Sequence, residues 1–143
     1  MRMSTQDRAI VRGRAALTAV GVTCIHLFLD LTYRAWAIEK SRDPLWDWGL
    51  ASSFTQITSI IGIGALMVIW ELRPANSTNL PFGFYVVTPA IAMLLYEILQ
   101  ISLPATFDMM DVAYCGLGVI ANFLILRYVI FQTTRELSGD RDQ

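Results

Sequence analysis

Acidic and amide side chains interrupt an otherwise apolar part of this chain. Glu97 and Gln100 stand three residues apart in one apolar segment, and Asp108 and Asp111 follow in the turn before the next apolar segment. Carboxylates grouped in this way can bind a cation or transfer protons. An ionised side chain within hydrocarbon costs at least about 2.5 kcal/mol, so each of these groups needs a partner or a function.

A second polar group lies nearer the N-terminus, where His26, Asp30 and Arg34 recur every four residues. In a helix this spacing places the three side chains on one face. Arg34 has two candidate partners, Asp30 on its own helix and Glu97 across the bundle, because buried ions are normally paired. The pattern is compatible with a salt-bridged structural stripe and with a binding site.

These residues must be positioned by helices that cross a membrane. The chain has 143 residues, of which 55% are hydrophobic and 16% are charged, whereas average soluble domains have about 25% charged residues. A helix needs about 20 apolar residues to span the bilayer, and four segments qualify, at 14–38, 52–71, 84–103 and 112–132. We therefore predict an all-α integral membrane four-helix bundle, with a basic lead-in at 1–13 and a polar tail at 133–143.

The distribution of basic residues predicts the orientation of this bundle. Eight of the eleven Lys and Arg residues fall on the side of the termini, and three, Arg34, Lys40 and Arg42, fall on the other side. The positive-inside rule then predicts that both termini are cytoplasmic. On this topology nearly all polar residues of the spans fall in the outer half of the bilayer. The sequence thus predicts an outward-facing polar cleft whose candidate binding residues are Asp30, Arg34, Glu97, Gln100, Asp108 and Asp111.

Other polar residues of the spans are interpreted as structural contacts between helices, namely His26, Gln56 and Asn122. Such interhelical contacts contribute about 0.6 kcal/mol on average in a membrane protein. Cys24 and Cys115 both lie in apolar segments and are interpreted as small packing residues.

The segment from Glu97 to about Asn122 resembles the VanZ-like family of small multi-span membrane proteins. That family has a Glu-x-x-Gln helix, a short Pro-Gly-Arg turn, an aspartate before the last helix, and then Asn and Gly on that helix. The matching positions in this chain are Glu97, Gln100, Pro104, Phe107, Asp108, Asp111 and Gly118.

This chain departs from the family pattern at three places. The turn at 104–106 is one residue short and has no arginine, and Cys115 stands at the position of the family asparagine. The family also has an Asp-Lys pair followed by a histidine on an early helix, whereas here Asp47 is followed by Trp48 and by no histidine.

The resemblance implies a multi-pass protein of the bacterial inner (plasma) membrane that acts in the cell envelope. The founding member of the family is associated with low-level resistance to the glycopeptide teicoplanin. The expected function is then non-enzymatic binding of a lipid headgroup or an envelope precursor in the outer cleft. The resemblance implies a location and a theme rather than a reaction.

Two other classes of function stay open at this point. The chain has little mass outside the spans, so it is also compatible with an accessory or assembly subunit of a larger membrane complex, or with a homo-oligomer. An intramembrane enzyme is less well supported, because the chain has one histidine and no His-x-x-x-His, Gly-rich phosphate loop or serine nucleophile motif. We expect no cofactor and no metal. A net charge of −1 gives no sign of nucleic-acid binding.

Overall fold

The computed structural model describes residues 4–40, 50–73, 80–101 and 109–131, and these residues form helices with no strand among them. Four of the helices are long and apolar enough to cross a membrane, as predicted: Thr5–Ala37, Ser53–Glu71, Phe82–Leu99 and Met110–Ile130. The first comprises α1 (Thr5–Phe28), a π-helical turn (Leu29–Arg34) and α2 (Ala35–Lys40). The others are α3 (Leu50–Glu71), α4 (Phe82–Ile101) and α5 (Met109–Ile125), which continues into a second π-helical turn (Leu126–Ile130).

Helix α1 begins nine residues before the span predicted at 14–38, because a capping box fixes its first turn. The backbone N–H of Asp7 donates to Ser4 Oγ at 3.1 Å, and the backbone N–H of Ser4 donates to Asp7 Oδ2 at 3.2 Å. These bonds satisfy amide groups that have no partner within the helix. Residues 5–13 of the predicted lead-in are therefore helical, and Val11 among them is fully buried.

Neighbouring helices run antiparallel, as two contacts between α3 and α4 show. Gln56 of α3 contacts Glu97 of α4, and Glu71 of α3 contacts Leu80 just before α4, so the order of positions is reversed between the two helices. The bundle thus has two ends. We call the end with the start of α1, the end of α3 and the start of α4 the terminal end, and the opposite one the distal end.

The apolar core is concentrated at the terminal end. Phe82 packs edge-on against Phe123 and Phe131, with ring centroids 5.8 and 5.7 Å apart, a geometry that aromatic rings favour. One cluster of buried apolar side chains joins α1, α3, α4, α5 and the second π-helical turn: Val11, Ala15, Ala65, Val68, Tyr85, Val86, Leu126 and Ile130.

Helix α3 is the central element, since it contacts α1, α4 and α5. Its approach to α5 is close because Gly118 has no side chain. A Cβ atom at Gly118 would lie 2.9 Å from Ile60 Cδ1 and 3.1 Å from Ile57 Cα. By contrast, a Cβ atom at Gly62 or Gly116 would meet nothing within 4 Å.

The first membrane-length helix lies largely on the outside of the bundle. In its most apolar stretch of 18 residues, 6% of the residues are buried, whereas the share is 44% for the second helix and 28% for each of the others. Its exposed side chains include large apolar ones, among them Leu17, Phe28 and Leu31. Exposed apolar surface on this scale suits contact with lipid or with another membrane helix.

Candidate functional site

Glu97 lies in the interior of the bundle, at the distal end of α4. Its side chain is 1% exposed, and the side chain of Gln56 from α3 is 5% exposed. The Gln56 amide Nε2 donates a hydrogen bond to Glu97 Oε1. Because a buried carboxylate is costly without a donor, this bond accounts for one of its two oxygens.

A third helix, α5, contacts the same amide through Cys115. Its thiol lies 3.9 Å from Gln56 Oε1, in a position to donate a weak hydrogen bond. The side chains from three helices thus form a chain that runs from Cys115 through Gln56 to Glu97. Cys115 was interpreted as a packing residue, and it is indeed buried, but its sulfur is in polar contact.

Asp111 completes this group, which we call the Glu97 cluster (Gln56, Glu97, Asp111 and Cys115). Asp111 lies near the start of α5 and is close enough to interact electrostatically with Glu97 and with Cys115. Glu97 Oε2 and Asp111 Oδ1 are both buried, and neither has a hydrogen-bond partner among the residues that the structure describes. Most buried polar atoms in proteins are hydrogen-bonded, so two such acceptors in one cluster require an explanation.

The remaining predicted binding residues do not join this cluster where the structure describes them. Arg34 Nη1 donates to Asp30 Oδ1 at 3.1 Å, and the two side chains are 45% and 42% exposed. Arg34 has therefore taken its local partner rather than Glu97. Gln100 lies on α4, but its side chain and the whole of Asp108 fall outside the described residues.

Two contacts place the first helix at a consistent depth relative to its neighbours. His26 contacts Thr58, which lies four residues, or about 6 Å, from the midpoint of its span toward the distal end. Arg14 contacts Val129, about 14 Å from the midpoint of the fourth span toward the terminal end, and His26 is about 18 Å further along. Both contacts put His26 about 5 Å on the distal side of the plane through the span midpoints.

Counting residues along the helices in the same way gives the distance of the charged groups from this plane. Asp30 lies about 11 Å and Arg34 about 17 Å from the plane through the span midpoints. In a bilayer centred on that plane, with a hydrocarbon half-thickness of about 15 Å, the pair would reach the headgroup boundary, where exposed charges are tolerated. Glu97 is about 10 Å and Asp111 about 14 Å from the midpoints of their spans, so Asp111 is the closer of the two to the bilayer surface.

His26 and Asn122, interpreted as structural, each connect two helices. His26 Nδ1 lies 2.7 Å from Thr58 Oγ1, and its ring packs 5.7 Å from that of Phe54. Asn122 is fully buried, and its amide Nδ2 donates to the backbone carbonyl of Tyr85 at 3.0 Å. Gln56, interpreted in the same way, also connects helices, as a member of the Glu97 cluster.

Glu71 is a buried carboxylate that the sequence analysis did not single out. It is 5% exposed at the terminal end of α3, and its Oε1 accepts the backbone N–H of Leu80 at 2.7 Å. The sequence signal for this contact was an acidic residue a few positions before the next apolar segment, since acidic groups are favoured near helix N-termini. Glu71 therefore connects the end of α3 to the residues just before α4.

The described residues contain no group of three or more His, Cys, Asp or Glu side chains that is arranged to hold a metal ion. With this geometry in hand, we compared the chain with known proteins. No family model, no curated protein and no solved structure matches it. The function must therefore be argued from the residues and their arrangement.

Proposed function

We propose that this protein is a non-enzymatic, VanZ-like component of the bacterial cell envelope, and that its Glu97 cluster binds a lipid headgroup or an envelope precursor. One observation carries the proposal. The two described acids of the resemblance, Glu97 and Asp111, come from two different helices and interact electrostatically in one cluster, together with Cys115 at the position of the family asparagine. A helix pair held together by apolar packing alone would not need them.

The position of the cluster favours a ligand from the distal side. Asp111 lies at about the depth of the hydrocarbon boundary, whereas the terminal end of the bundle is filled by apolar side chains. With both termini in the cytoplasm, as the basic residues indicate, the distal side is the outer leaflet. Fusions of a reporter active only in the cytoplasm to the C-terminus test this orientation, and an inactive fusion would reverse it.

The function is tested by expressing the protein in a teicoplanin-susceptible bacterium and measuring the minimum inhibitory concentration. We expect the wild-type protein to raise this concentration and Glu97→Ala to abolish the increase. Glu71→Gln is the matched control, because it changes a buried carboxylate at the other end and keeps an acceptor for Leu80. Membrane levels of each variant are compared by immunoblot. Equal protection by wild type and Glu97→Ala would refute the role of the cluster.

A second candidate function, an accessory subunit of a larger membrane complex, is favoured by the first helix. Few residues of its apolar stretch are buried, and a partner helix would cover the exposed ones as well as lipid does. Extraction in a mild detergent, followed by sizing and mass spectrometry, separates the two candidates. A stoichiometric set of other subunits supports the accessory role, and a small species without protein partners counts against it.

A further inference from the structure

Two carboxylate oxygens at the distal end of the bundle are buried acceptors for which the described part of the chain supplies no donor. Glu97 Oε2 belongs to a side chain that is 99% buried, and Asp111 Oδ1 belongs to a neighbouring acid. Leaving a buried acceptor unsatisfied costs about 1–3 kcal/mol, and more where the group is charged. The cluster is therefore incomplete by itself and calls for a group that brings hydrogen-bond donors.

The two side-chain donors known in the Glu97 cluster are already engaged. The Gln56 amide donates to the other oxygen of Glu97, and the Cys115 thiol is directed to the carbonyl oxygen of Gln56. The basic side chain nearest in depth, Arg34, is paired with Asp30. Within the described part of the chain, no Lys or Arg pairs with Glu97 or Asp111.

The missing group should carry positive charge as well as donors, since two acids interact with each other there. A metal ion is a poor fit, because two carboxylates fall short of the ligand set that a dry cation site needs. A primary ammonium group fits better, as it has three N–H donors and one positive charge. A quaternary ammonium has the charge but no N–H to offer.

We propose that Glu97 and Asp111 bind a primary ammonium group that enters from the distal end of the bundle. It comes either from the headgroup of an aminophospholipid or from a water-soluble primary amine. The inference rests on the proposed function, since it names the ligand chemistry of the same site. Asp111 receives the group near the bilayer surface, and Glu97 holds it about 4 Å deeper.

The test uses the full-length protein in vesicles of equal parts phosphatidylethanolamine and phosphatidylcholine with identical acyl chains. The two headgroups have the same charges and differ in whether the nitrogen carries N–H donors. After gentle detergent extraction, native mass spectrometry measures which lipid stays bound. We expect selective retention of phosphatidylethanolamine by the wild type and by Glu71→Gln. Glu97→Gln and Asp111→Asn should each weaken it about tenfold, the effect of losing one charged contact.

A second arm identifies the source of the amine. The melting temperature of the protein in phosphatidylcholine micelles is measured with added ethanolamine or choline. A rise with ethanolamine alone shows that a free amine enters the site, and lipid retention that excess ethanolamine does not reduce shows a lipid source. Asp111→Asn is the variant to rely on if Glu97→Gln fails to fold, because Asp111 is only partly buried.

Equal retention of both lipids, together with no difference between ethanolamine and choline, would overturn the inference; the two oxygens would then hold a proton or a buried water. If that result came with teicoplanin protection that still depends on Glu97, the ligand class alone would be wrong. If amine selectivity were found without any effect of Glu97 on protection, the proposed function would be wrong and the amine site would stand.

Discussion

Gly64 of α3 lies directly against Asn122 of α5, so closely that a Cβ atom at Gly64 would come 2.5 Å from Asn122 Oδ1 and 2.8 Å from Nδ2. Asn122 is in turn held by the backbone carbonyl of Tyr85 on α4. The glycine thus lets one asparagine join three helices near the middle of the bundle.

Gly64→Ala should therefore destabilise the protein by about 1–3 kcal/mol, the usual cost of forcing an added methyl group into a filled space. The free energy of unfolding is measured in mixed detergent micelles by circular dichroism. Gly62→Ala is the control on the same helix, because its Cβ atom would meet nothing within 4 Å. Equal effects of the two substitutions would show that the close approach at Gly64 is not what limits packing.

The hydrogen bond between Gln56 and Glu97 should appear as a coupling energy. Gln56→Ala leaves a buried carboxylate with both oxygens unsatisfied and should cost about 1–3 kcal/mol. In a Glu97→Leu background there is no carboxylate to satisfy, so the same change should cost less. A double-mutant cycle measures the difference, for which contacting residues typically give about 0.5–3 kcal/mol. Additive effects would mean that the bond contributes nothing to stability.

Arg14 should hold the first helix against the end of the last one. Its Nη1 donates to the backbone carbonyl of Val129 at 3.2 Å, where the second π-helical turn leaves carbonyls near a helix end. Arg14→Ala should remove about 1.5–3 kcal/mol, the range for hydrogen bonds to charged groups. Hydrogen exchange at 126–131 should accelerate in this variant. Arg12→Ala is the control, and similar exchange in both variants would argue against the bond.

The two cysteines should differ in reactivity. Cys24 is exposed on the outside of the bundle, whereas Cys115 is 2% exposed inside the Glu97 cluster. In detergent, which covers the apolar surface around Cys24, a small apolar maleimide should therefore label Cys24 slowly and Cys115 only after unfolding. Mass spectrometry of single-cysteine variants, Cys24→Ser and Cys115→Ser, measures the two rates. Rapid labelling of Cys115 in the folded protein would mean that the cluster is open to solution.

The spans could be predicted from sequence because a long apolar run is a property of composition alone. All four were found, and Asp30 was one of the two partners that the sequence left open for Arg34, since residues four apart on a helix are neighbours. The helix begins before the predicted span because Ser4 and Asp7 form a capping box within a polar segment. Such a box continues a helix where hydropathy gives no sign of one.

The partners of the buried polar groups could not be predicted from sequence. Hydropathy tells which segments cross the membrane, but it leaves the rotation of each helix about its axis undetermined. Glu97 faces Gln56 rather than Arg34 because α4 packs against α3 and α5, and this packing depends on where residues such as Gly64 and Gly118 allow close approach. Gln56 was accordingly predicted to make a structural contact between helices, without its partner Glu97 being named.

The first and last helices meet at the terminal end, where Val11 packs in one cluster with Leu126 and Ile130. Residues 4 and 131, the first and last that the structure describes, therefore lie on one side of the bundle. A short peptide should be able to join them, and new termini opened between the end of α3 and the start of α4 would emerge on that same side. Two copies fused head to tail would likewise keep the same orientation, which makes the bundle a natural unit for gene duplication and circular permutation.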